Sequence, residues 1–353
     1  LARGLKQDIT FSTEIIEDFT SLSIEDMIAE EEMVLTITHN GYIKRTSLST
    51  YRSQRRGGRG VQGASSREED FVEHLFVANT HSYILFFTDK GKCYWVKVYD
   101  IPEGGRAAKG RAIVNLIGCE PDEKVSAFIS VKEFNEDHYV VMATEKGMVK
   151  KTKLSAYSNP RKKGIYAVEI RDGDKLIEAR VSTGDNDILL GTRNGKSIRF
   201  SEEQIRASGR KTMGVKGITL NSEDDRLVGM LLIKREGTVL VATEKGFGKR
   251  TEISQYRAQK RGGKGVLTMK TTDKVGKMVT IKEVVDKDDL MIITNQGVLI
   301  RLPVAQIRSI GRATQGVKLI KLGEGTLVSS ITRIMSEEEE DENNNTESTE
   351  TKE

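Results

Sequence analysis

A short loop in the first quarter of the chain combines basic residues with glycines. It reads Gln54-Arg55-Arg56-Gly57-Gly58-Arg59-Gly60. Glycines allow a backbone to approach a phosphate group closely, and arginines supply charge-assisted hydrogen bonds to its oxygens. A second loop, Gln259-Lys260-Arg261-Gly262-Gly263-Lys264-Gly265, has the same pattern. Both loops are therefore candidates for phosphate binding.

Other motifs give no support to catalysis or cofactor binding. The glycines at 58–63 lack the preceding strand and following helix that a dinucleotide site needs, and 191–197 is one residue too short for an ATPase phosphate loop. Tyr51, Tyr157 and Tyr256 share a repeated position that is otherwise Ile, which indicates packing rather than nucleophilic attack. Two cysteines and four scattered histidines do not form a spaced zinc cluster. We predict no catalytic residue, metal site or cofactor within this chain.

Six repeats organise the sequence. In each, an apolar run ends in Thr and is followed by two polar residues and Gly, which is typical of a tight hairpin turn. The turn glycines are spaced by 50, 56, 48, 51 and 51 residues. They are Gly41, Gly91, Gly147, Gly195, Gly246 and Gly297.

Further landmarks keep the same register. Seven residues after the turn glycine comes an apolar residue in five repeats, with Glu202 as the exception, and ten residues after it comes a large one, Tyr or Ile. A second glycine follows at nineteen residues in five repeats, and at seventeen in the third, which is shorter and contains Pro160. These landmarks mark the repeats as copies of one structural unit.

A period near 50 residues, with short strands and almost no helical periodicity, predicts blades of four strands around an axis. Kelch repeats have a similar period but use Trp throughout, whereas this chain has only Trp95. We predict an all-β, six-bladed propeller-like ring between an acidic lead-in with a candidate strand and a disordered acidic tail. The predicted ranges are 1–32 for the lead-in, 9–16 for its strand, 33–335 for the ring, 33–80, 81–135, 136–182, 183–234, 235–285 and 286–335 for its blades, and 336–353 for the tail.

The formal net charge of +4 hides an uneven distribution of charge. Residues 1–32 hold nine acids and two bases, and residues 336–353 hold nine acids and one base. The chain between them holds 53 bases and 34 acids. A strongly basic body between acidic ends indicates a polyanionic partner, and a well-solvated surface is the alternative. No apolar run reaches the roughly 20 residues that a membrane span needs.

Basic residues recur between the two landmark glycines of the repeats. Equivalent positions of six blades lie at equivalent places on the rim, so these bases are expected to form a belt. A belt of bases suits the phosphate backbone of double-stranded DNA. A protein that contacts this backbone binds without reading the base sequence. Loops kept basic for solubility, and a propeller whose basic face binds an acidic protein, are the alternatives. Besides the two loops, the predicted belt comprises Lys44, Arg45, Arg106, Lys109, Lys150, Lys151, Arg161, Lys162, Lys163, Arg210, Lys211, Lys249, Arg250, Arg308 and Arg312.

The loop at 54–60 resembles the box found in the C-terminal domain of the A subunit of DNA gyrase: Gln, two bases, two Gly, a base and Gly. Segments 24–31, 41–45 and 101–110 are also similar to that family, and the resemblance extends over 24–335. It implies a six-bladed β-pinwheel whose strands exchange between neighbouring blades. It also implies that duplex DNA is wrapped around the rim with positive handedness.

The resemblance further implies a larger enzyme in the bacterial cytoplasm, associated with the nucleoid. That enzyme combines two A and two B subunits, binds ATP and Mg²⁺ elsewhere, and introduces negative supercoils, with its cleaving tyrosine in another domain. Topoisomerase IV has a related domain with a degenerate box and fewer blades, so an intact box and six repeats favour gyrase. The second loop, at 259–265, departs from the single-box pattern and is either a second DNA contact or a structural loop. The acidic tail either is solvated or competes with DNA for the belt.

Overall fold

The computed structural model of the chain describes residues 24–38, 40–47, 72–105, 108–120, 122–159, 161–234, 236–296 and 299–334. Several predicted features lie outside these residues, so the structure does not bear on them. They are the strand at 9–16, the loop at 54–60, Arg106 and the tail at 336–353.

Each repeat begins with a β-hairpin whose first strand is largely buried. In the second repeat the amide of Gly91 donates to the carbonyl of Thr88 at 2.9 Å, and the Thr88 hydroxyl accepts from the amide of Lys92 at 3.2 Å. Gly91 has a φ of +78°, and a Cβ at that position would lie 2.4 Å from the carbonyl oxygen of Val168. The turn therefore needs glycine both for its backbone angle and for its close contact. The predicted hairpin turns are confirmed at Gly41, Gly91, Gly147, Gly195 and Gly246, and Gly297 lies outside the described residues.

The strands of the six hairpins have nearly equal lengths. The first strands are Glu32–Thr38 (β1), Tyr83–Thr88 (β4), Tyr139–Thr144 (β8), Asp187–Thr192 (β12), Thr238–Thr243 (β16) and Asp289–Thr294 (β20). The second strands are Tyr42–Ser47 (β2), Lys92–Lys97 (β5), Met148–Lys153 (β9), Lys196–Ser201 (β13), Phe247–Glu252 (β17) and Leu299–Pro303 (β21).

A long third strand pairs antiparallel with the first strand of its own hairpin. These strands are Val72–Asn79 (β3), Val125–Val131 (β7), Leu176–Ser182 (β11), Leu227–Ile233 (β15), Met278–Val284 (β19) and Val328–Ile334 (β23). In repeats two to six, a strand of two residues precedes the third strand. The short strands are Arg111–Ala112 (β6), Ile165–Tyr166 (β10), Val215–Lys216 (β14), Val266–Leu267 (β18) and Val317–Lys318 (β22).

The short strands are exchanged between neighbouring repeats. Each pairs with the second strand of the preceding repeat: β6 with β2, β10 with β5, β14 with β9, β18 with β13 and β22 with β17. Five sheets therefore have four strands, and within the described residues the sixth consists of β20, β21 and β23. This exchange ties each blade to the next.

Helical structure among the described residues is limited to short turns. One is an α-helix, Ile113–Ile117 (α1), and the others are 3₁₀ turns. The 3₁₀ turns are Ile24–Met27, Val98–Asp100, Leu154–Tyr157, Glu202–Gln204, Ile253–Gln255 and Val304–Gln306.

The hydrophobic cores lie between neighbouring blades. In the core between blades two and three, Phe87 packs edge-on against Tyr157 with ring centroids 5.9 Å apart. Burying a side chain of this size stabilises the fold by about 1.5–3 kcal/mol. The packing role predicted for the position ten residues after the turn glycine is confirmed in repeats two to six. The residues there, all buried, are Ile101, Tyr157, Ile205, Tyr256 and Ile307.

The order of strands within the sheets separates the axis of the ring from its rim. Third strands of successive blades contact one another, as β15 contacts β19, so they lie nearest the axis. The exchanged short strands form the opposite edge of each sheet. They, and the loops that lead into them, therefore lie at the rim.

Candidate nucleic-acid interface

The second box-like loop, residues 259–265, lies on the preceding blade at the rim. The amide of Gln259 donates to the carbonyl of Arg199 at 2.8 Å, and the amide of Gly262 donates to that of Gly217 at 2.8 Å. Gly262 and Gly265 have positive φ, and a Cβ on Gly265 would lie 2.3 Å from the carbonyl oxygen of Ser197. Gly262 and Gly265 are thus required by their positive φ, and Gly265 also by the close approach of two backbones.

The three bases of this loop have different surroundings. The Arg261 guanidinium donates from Nη1 to the carbonyl of Lys216 at 2.8 Å and from Nε to that of Gln204 at 3.2 Å. It therefore holds the loop in place. Lys260 and Lys264 are exposed. These two lysines are the part of the loop that is available to an anion.

Five bases of the predicted belt are buried, which corrects the expectation that they lie on the surface. They are Lys44, Lys150, Lys151, Lys249 and Arg250, with relative exposures of 4%, 1%, 6%, 0% and 8%.

Lysines three residues after the turn glycine bond to backbone carbonyls in the loop of the following repeat, and Lys150 also bonds to its own repeat. Lys44 Nζ donates to the carbonyl of Gly105 at 3.0 Å, and Lys150 Nζ donates to that of Ala167 at 2.6 Å and also to that of Arg210. Lys249 Nζ donates to the carbonyls of Gly311, at 2.6 Å, and Arg312, and to the hydroxyl of Thr314. The three ammonium groups satisfy carbonyl oxygens between blades.

Burial changes the titration of these lysines, because it disfavours the charged form. Burial and, to a smaller extent, the positive charge of Arg210 lower the pKa of Lys150 to about 7. Burial, then the charge of Arg312, lower the pKa of Lys249 to about 8, and burial alone lowers the pKa of Lys44. The bonds to carbonyl oxygens therefore compensate only in part for the lost hydration of the ammonium groups.

Residues four positions after the turn glycine clamp the next repeat at its large buried residue. Nε of Arg45 donates to the carbonyl of Ile101 at 2.7 Å, and Nε of Arg250 donates to that of Ile307 at 2.7 Å. Trp95 makes the equivalent bond, from its indole nitrogen to the carbonyl of Tyr157.

Arg199, which the belt prediction omitted, donates from Nη1 to the carbonyl of Tyr256 at 3.2 Å. These contacts add side-chain hydrogen bonds between neighbouring blades.

The remaining belt residues within the described chain are exposed or half-buried. Arg210 and Arg312 are half-buried, and Nη1 of Arg312 donates to the carbonyl of Leu267 at 3.2 Å. The exposed ones are Lys109, Arg161, Lys162, Lys163, Lys211 and Arg308.

The prediction also missed three exposed bases on the short rim strands: Arg111, Lys216 and Lys318. Lys216 and Lys318 each come two residues after the second landmark glycine of their repeat. That fixed spacing is the signal that would have identified them.

Sequence comparison relates this architecture to a known family. The family model described as DNA gyrase C-terminal domain, beta-propeller, matches residues 32–79, 82–132, 138–183, 186–234, 237–284 and 288–334. The chain belongs to the DNA gyrase C-terminal domain family. The predicted family and the predicted six-bladed fold are therefore confirmed.

Curated relatives of the chain are gyrase A proteins. The gyrase A protein of Staphylococcus epidermidis (strain ATCC 12228 / FDA PCI 1200) is 48% identical over 320 residues, which cover 90% of this chain and 36% of that protein. The gyrase A protein of Staphylococcus aureus (strain COL) is 46% identical over 336 residues, covering 94% of this chain and 38% of that protein. The chain thus spans less than two-fifths of the length of these gyrase A relatives.

Two solved structures of such domains superpose on the chain. The C-terminal domain of DNA topoisomerase IV matches with a TM-score of 0.75 at 27% identity, covering 88% of this chain and 95% of that one. The DNA gyrase A C-terminal domain matches with a TM-score of 0.70 at 24% identity, covering 86% and 100%. The second likeness is one of fold alone.

Two other classes of site are missing from the described residues. No helix there is long and apolar enough to cross a membrane. Nor does any group of three or more His, Cys, Asp or Glu in that part of the chain stand ready to hold a metal ion.

Proposed function

We propose that this chain binds and wraps double-stranded DNA around its rim, without sequence specificity and with positive writhe. It does so as the C-terminal domain of a gyrase A protein. In the whole enzyme, which joins two A and two B subunits, the wrap presents one DNA segment for ATP-dependent passage through another and so introduces negative supercoils. ATP and Mg²⁺ are bound by other parts of that enzyme, which acts on the bacterial nucleoid in the cytoplasm.

The row of exposed bases along the rim carries this proposal. Neighbouring blades present bases either on a short strand, as Lys216 and Lys318 do, or in the loop before it, as Lys163 and Lys264 do. Since the arrangement recurs in repeats two to six of the described chain, the bases recur along a curved path at the outer edge. A duplex backbone carries a regular row of negative charge, and neutralising it releases counterions.

This geometry favours backbone contacts over base reading. The described rim consists of two-residue strands, loops and short helical turns rather than a helix of the length that enters a major groove. If one or two bases per blade contact phosphates, log K is expected to fall with log salt at a slope of about −5 to −11. A binding constant that is insensitive to salt would contradict the belt.

Sequence identity favours gyrase over topoisomerase IV as the parent enzyme. The curated gyrase A relatives are 46–48% identical to the chain, whereas the two superposed domains, from topoisomerase IV and from gyrase A, are 27% and 24% identical and do not separate the two enzymes. The intact box at 54–60 also supports gyrase by its resemblance to that family.

Replacing Arg55, Arg56 and Arg59 with Ala in a reassembled A₂B₂ enzyme tests this choice. Supercoiling should be lost, while relaxation and ATP-dependent decatenation should remain, because only supercoiling depends on the wrap. Unchanged supercoiling would contradict the assignment.

A propeller that binds an acidic protein is the alternative reading of the basic rim. A gel shift with linear duplexes of increasing length separates the two. Wrapping predicts that affinity rises with duplex length well beyond a single contact, whereas a protein-binding rim predicts weak retardation that does not grow in this way.

A further inference from the structure

Two exposed apolar side chains lie at the rim among basic residues. Tyr166 in β10 is 53% exposed, and Met213, close before β14, is 37% exposed. The ammonium group of Lys211 lies 5.8 Å from the centre of the Tyr166 ring, and Nε of Arg171 donates to Sδ of Met213 at 3.4 Å. Each apolar group thus has a cation beside it. Such a surface fits a polyanion that also offers flat apolar faces.

The position of Tyr166 in the repeat strengthens this reading. It is the second residue of an exchanged rim strand, where β14 and β22 present the exposed Lys216 and Lys318. In β6 and β18 the same position holds Ala112 and Leu267, which are half-buried. Tyr166 therefore places an aromatic ring in a row whose other exposed members are the bases proposed to face phosphates.

The strand fixes the direction of this ring. Ile165, the other residue of β10, is buried in the core between blades two and three. Successive side chains of a strand point to opposite faces, so Tyr166 is directed away from that core. The pairing of β10 with β5 holds the strand in this register, with Tyr166 opposite Lys92.

We propose that Tyr166, assisted by Met213, contacts the bases of the wrapped duplex by inserting partly between two base pairs from the minor groove. This inference rests on the proposed wrapping of DNA. Apolar wedges in the minor groove unstack one base step and concentrate the bend that a wrapped duplex needs. Pyrimidine–purine steps unstack most readily, and every base offers a face for stacking, so the contact prefers TA steps without strict specificity. Lys211 and Arg171, the cations beside Tyr166 and Met213, would then pair with phosphates that flank the opened step.

Permanganate footprinting tests the wedge, since permanganate oxidises thymines that are unstacked. The 353-residue chain is bound at saturation to a long duplex that contains several TA steps, and binding is followed by gel retardation. The native chain and Tyr166→Phe are expected to raise thymine reactivity at TA steps above that of the free duplex. Tyr166→Lys introduces the residue type that Lys216 and Lys318 have at the equivalent position, and it is expected to lose this increase. Met213→Lys is expected to reduce it.

Leu327→Lys is the matched control. Leu327 is an apolar side chain with 38% exposure, but it directly precedes β23, one of the third strands that lie nearest the axis. It is expected to leave thymine reactivity at the native level. Native complexes without increased reactivity, or an equal increase with Tyr166→Lys, would overturn the wedge while leaving the wrapping intact. A native chain that does not retard the duplex would overturn both.

Discussion

The ammonium group of Lys151 and the carboxylate of Glu202 lie 3.0 Å apart, and both side chains are almost fully buried. Lys151 belongs to the third repeat and Glu202 to the fourth. The Glu202 carboxylate also accepts a bond from the hydroxyl of Ser182 at 2.5 Å, and Lys151 lies over the ring of Tyr139. The pair explains why Glu202 replaces the apolar residue that other repeats have at its position.

Removing one member of this pair should destabilise the ring. Glu202→Ala leaves the Lys151 charge buried without its partner, which costs about 3–5 kcal/mol of unfolding free energy. Lys151→Met combined with Glu202→Leu removes both charges and should recover most of that loss. Urea unfolding followed by circular dichroism measures both.

The exposed pair formed by Lys153 and Glu136 at 3.2 Å is the matched control, and breaking it should change stability little. Equal losses for Glu202→Ala and the double variant would show that the ion pair is not the source of the effect.

Lys150 should make stability depend on pH. Its pKa is about 7 in the folded chain, against roughly 10.4 in an unfolded one. Between these values the unfolded chain binds the proton more tightly, so protonation opposes folding and stability rises as pH rises. The free energy of unfolding of the native chain, relative to Lys150→Met, should increase from pH 7 to pH 10 by up to about 1.4 kcal/mol per pH unit.

Denaturant titrations of both chains at each pH give this difference directly. Lys153→Met, on the same strand but exposed, is the matched control. If the difference in unfolding free energy between the native chain and Lys150→Met stays flat or falls with pH, burial does not disfavour the charged form of Lys150.

Trp95 should be replaceable by Arg more readily than by Phe. Its indole nitrogen donates to the carbonyl of Tyr157 at 2.8 Å, a bond that arginines make at the equivalent position of other repeats. Trp95→Phe leaves this carbonyl unpaired, with a cost of about 1–3 kcal/mol. Trp95→Arg restores a donor and should lose less. Thermal unfolding followed by circular dichroism ranks the two variants, and a lower midpoint for Trp95→Arg would contradict the shared role.

The second box-like loop should separate DNA affinity from stability. Lys260→Ala with Lys264→Ala should reduce the magnitude of the salt slope of DNA binding by about 2, from about 0.9 per phosphate contact, with little change in thermal midpoint. Arg261→Ala should instead lower the thermal midpoint, because Arg261 bonds to the backbone of Gln204 and Lys216. An unchanged salt slope in the double variant would make the loop purely structural.

The repeat register predicts the fold well because the turns depend on local chemistry. A glycine with positive φ, such as Gly91, and the threonine that caps its turn are visible in the sequence at a fixed spacing. The large residue ten positions later, such as Tyr157, is equally visible as a core position.

The belt is harder to predict because a basic side chain can either be exposed to solvent or donate hydrogen bonds to a buried carbonyl oxygen. Lys150 and Lys249 look identical in sequence to a surface lysine, yet their ammonium groups bond to backbone inside the ring. One signal was available: the equivalent position in repeats two and four holds Tyr94 and Ile198, both buried. Comparison across repeats, rather than charge alone, separates clamps from surface bases.

Wrapping itself is tested most directly by topology. The 353-residue chain is bound to a singly nicked circular duplex, the nick is sealed with ligase, and the protein is removed before the topoisomers are separated. The account predicts a distribution shifted to positive linking difference in proportion to the amount of chain bound. A distribution equal to that of ligase alone, or shifted to negative linking difference, would contradict it.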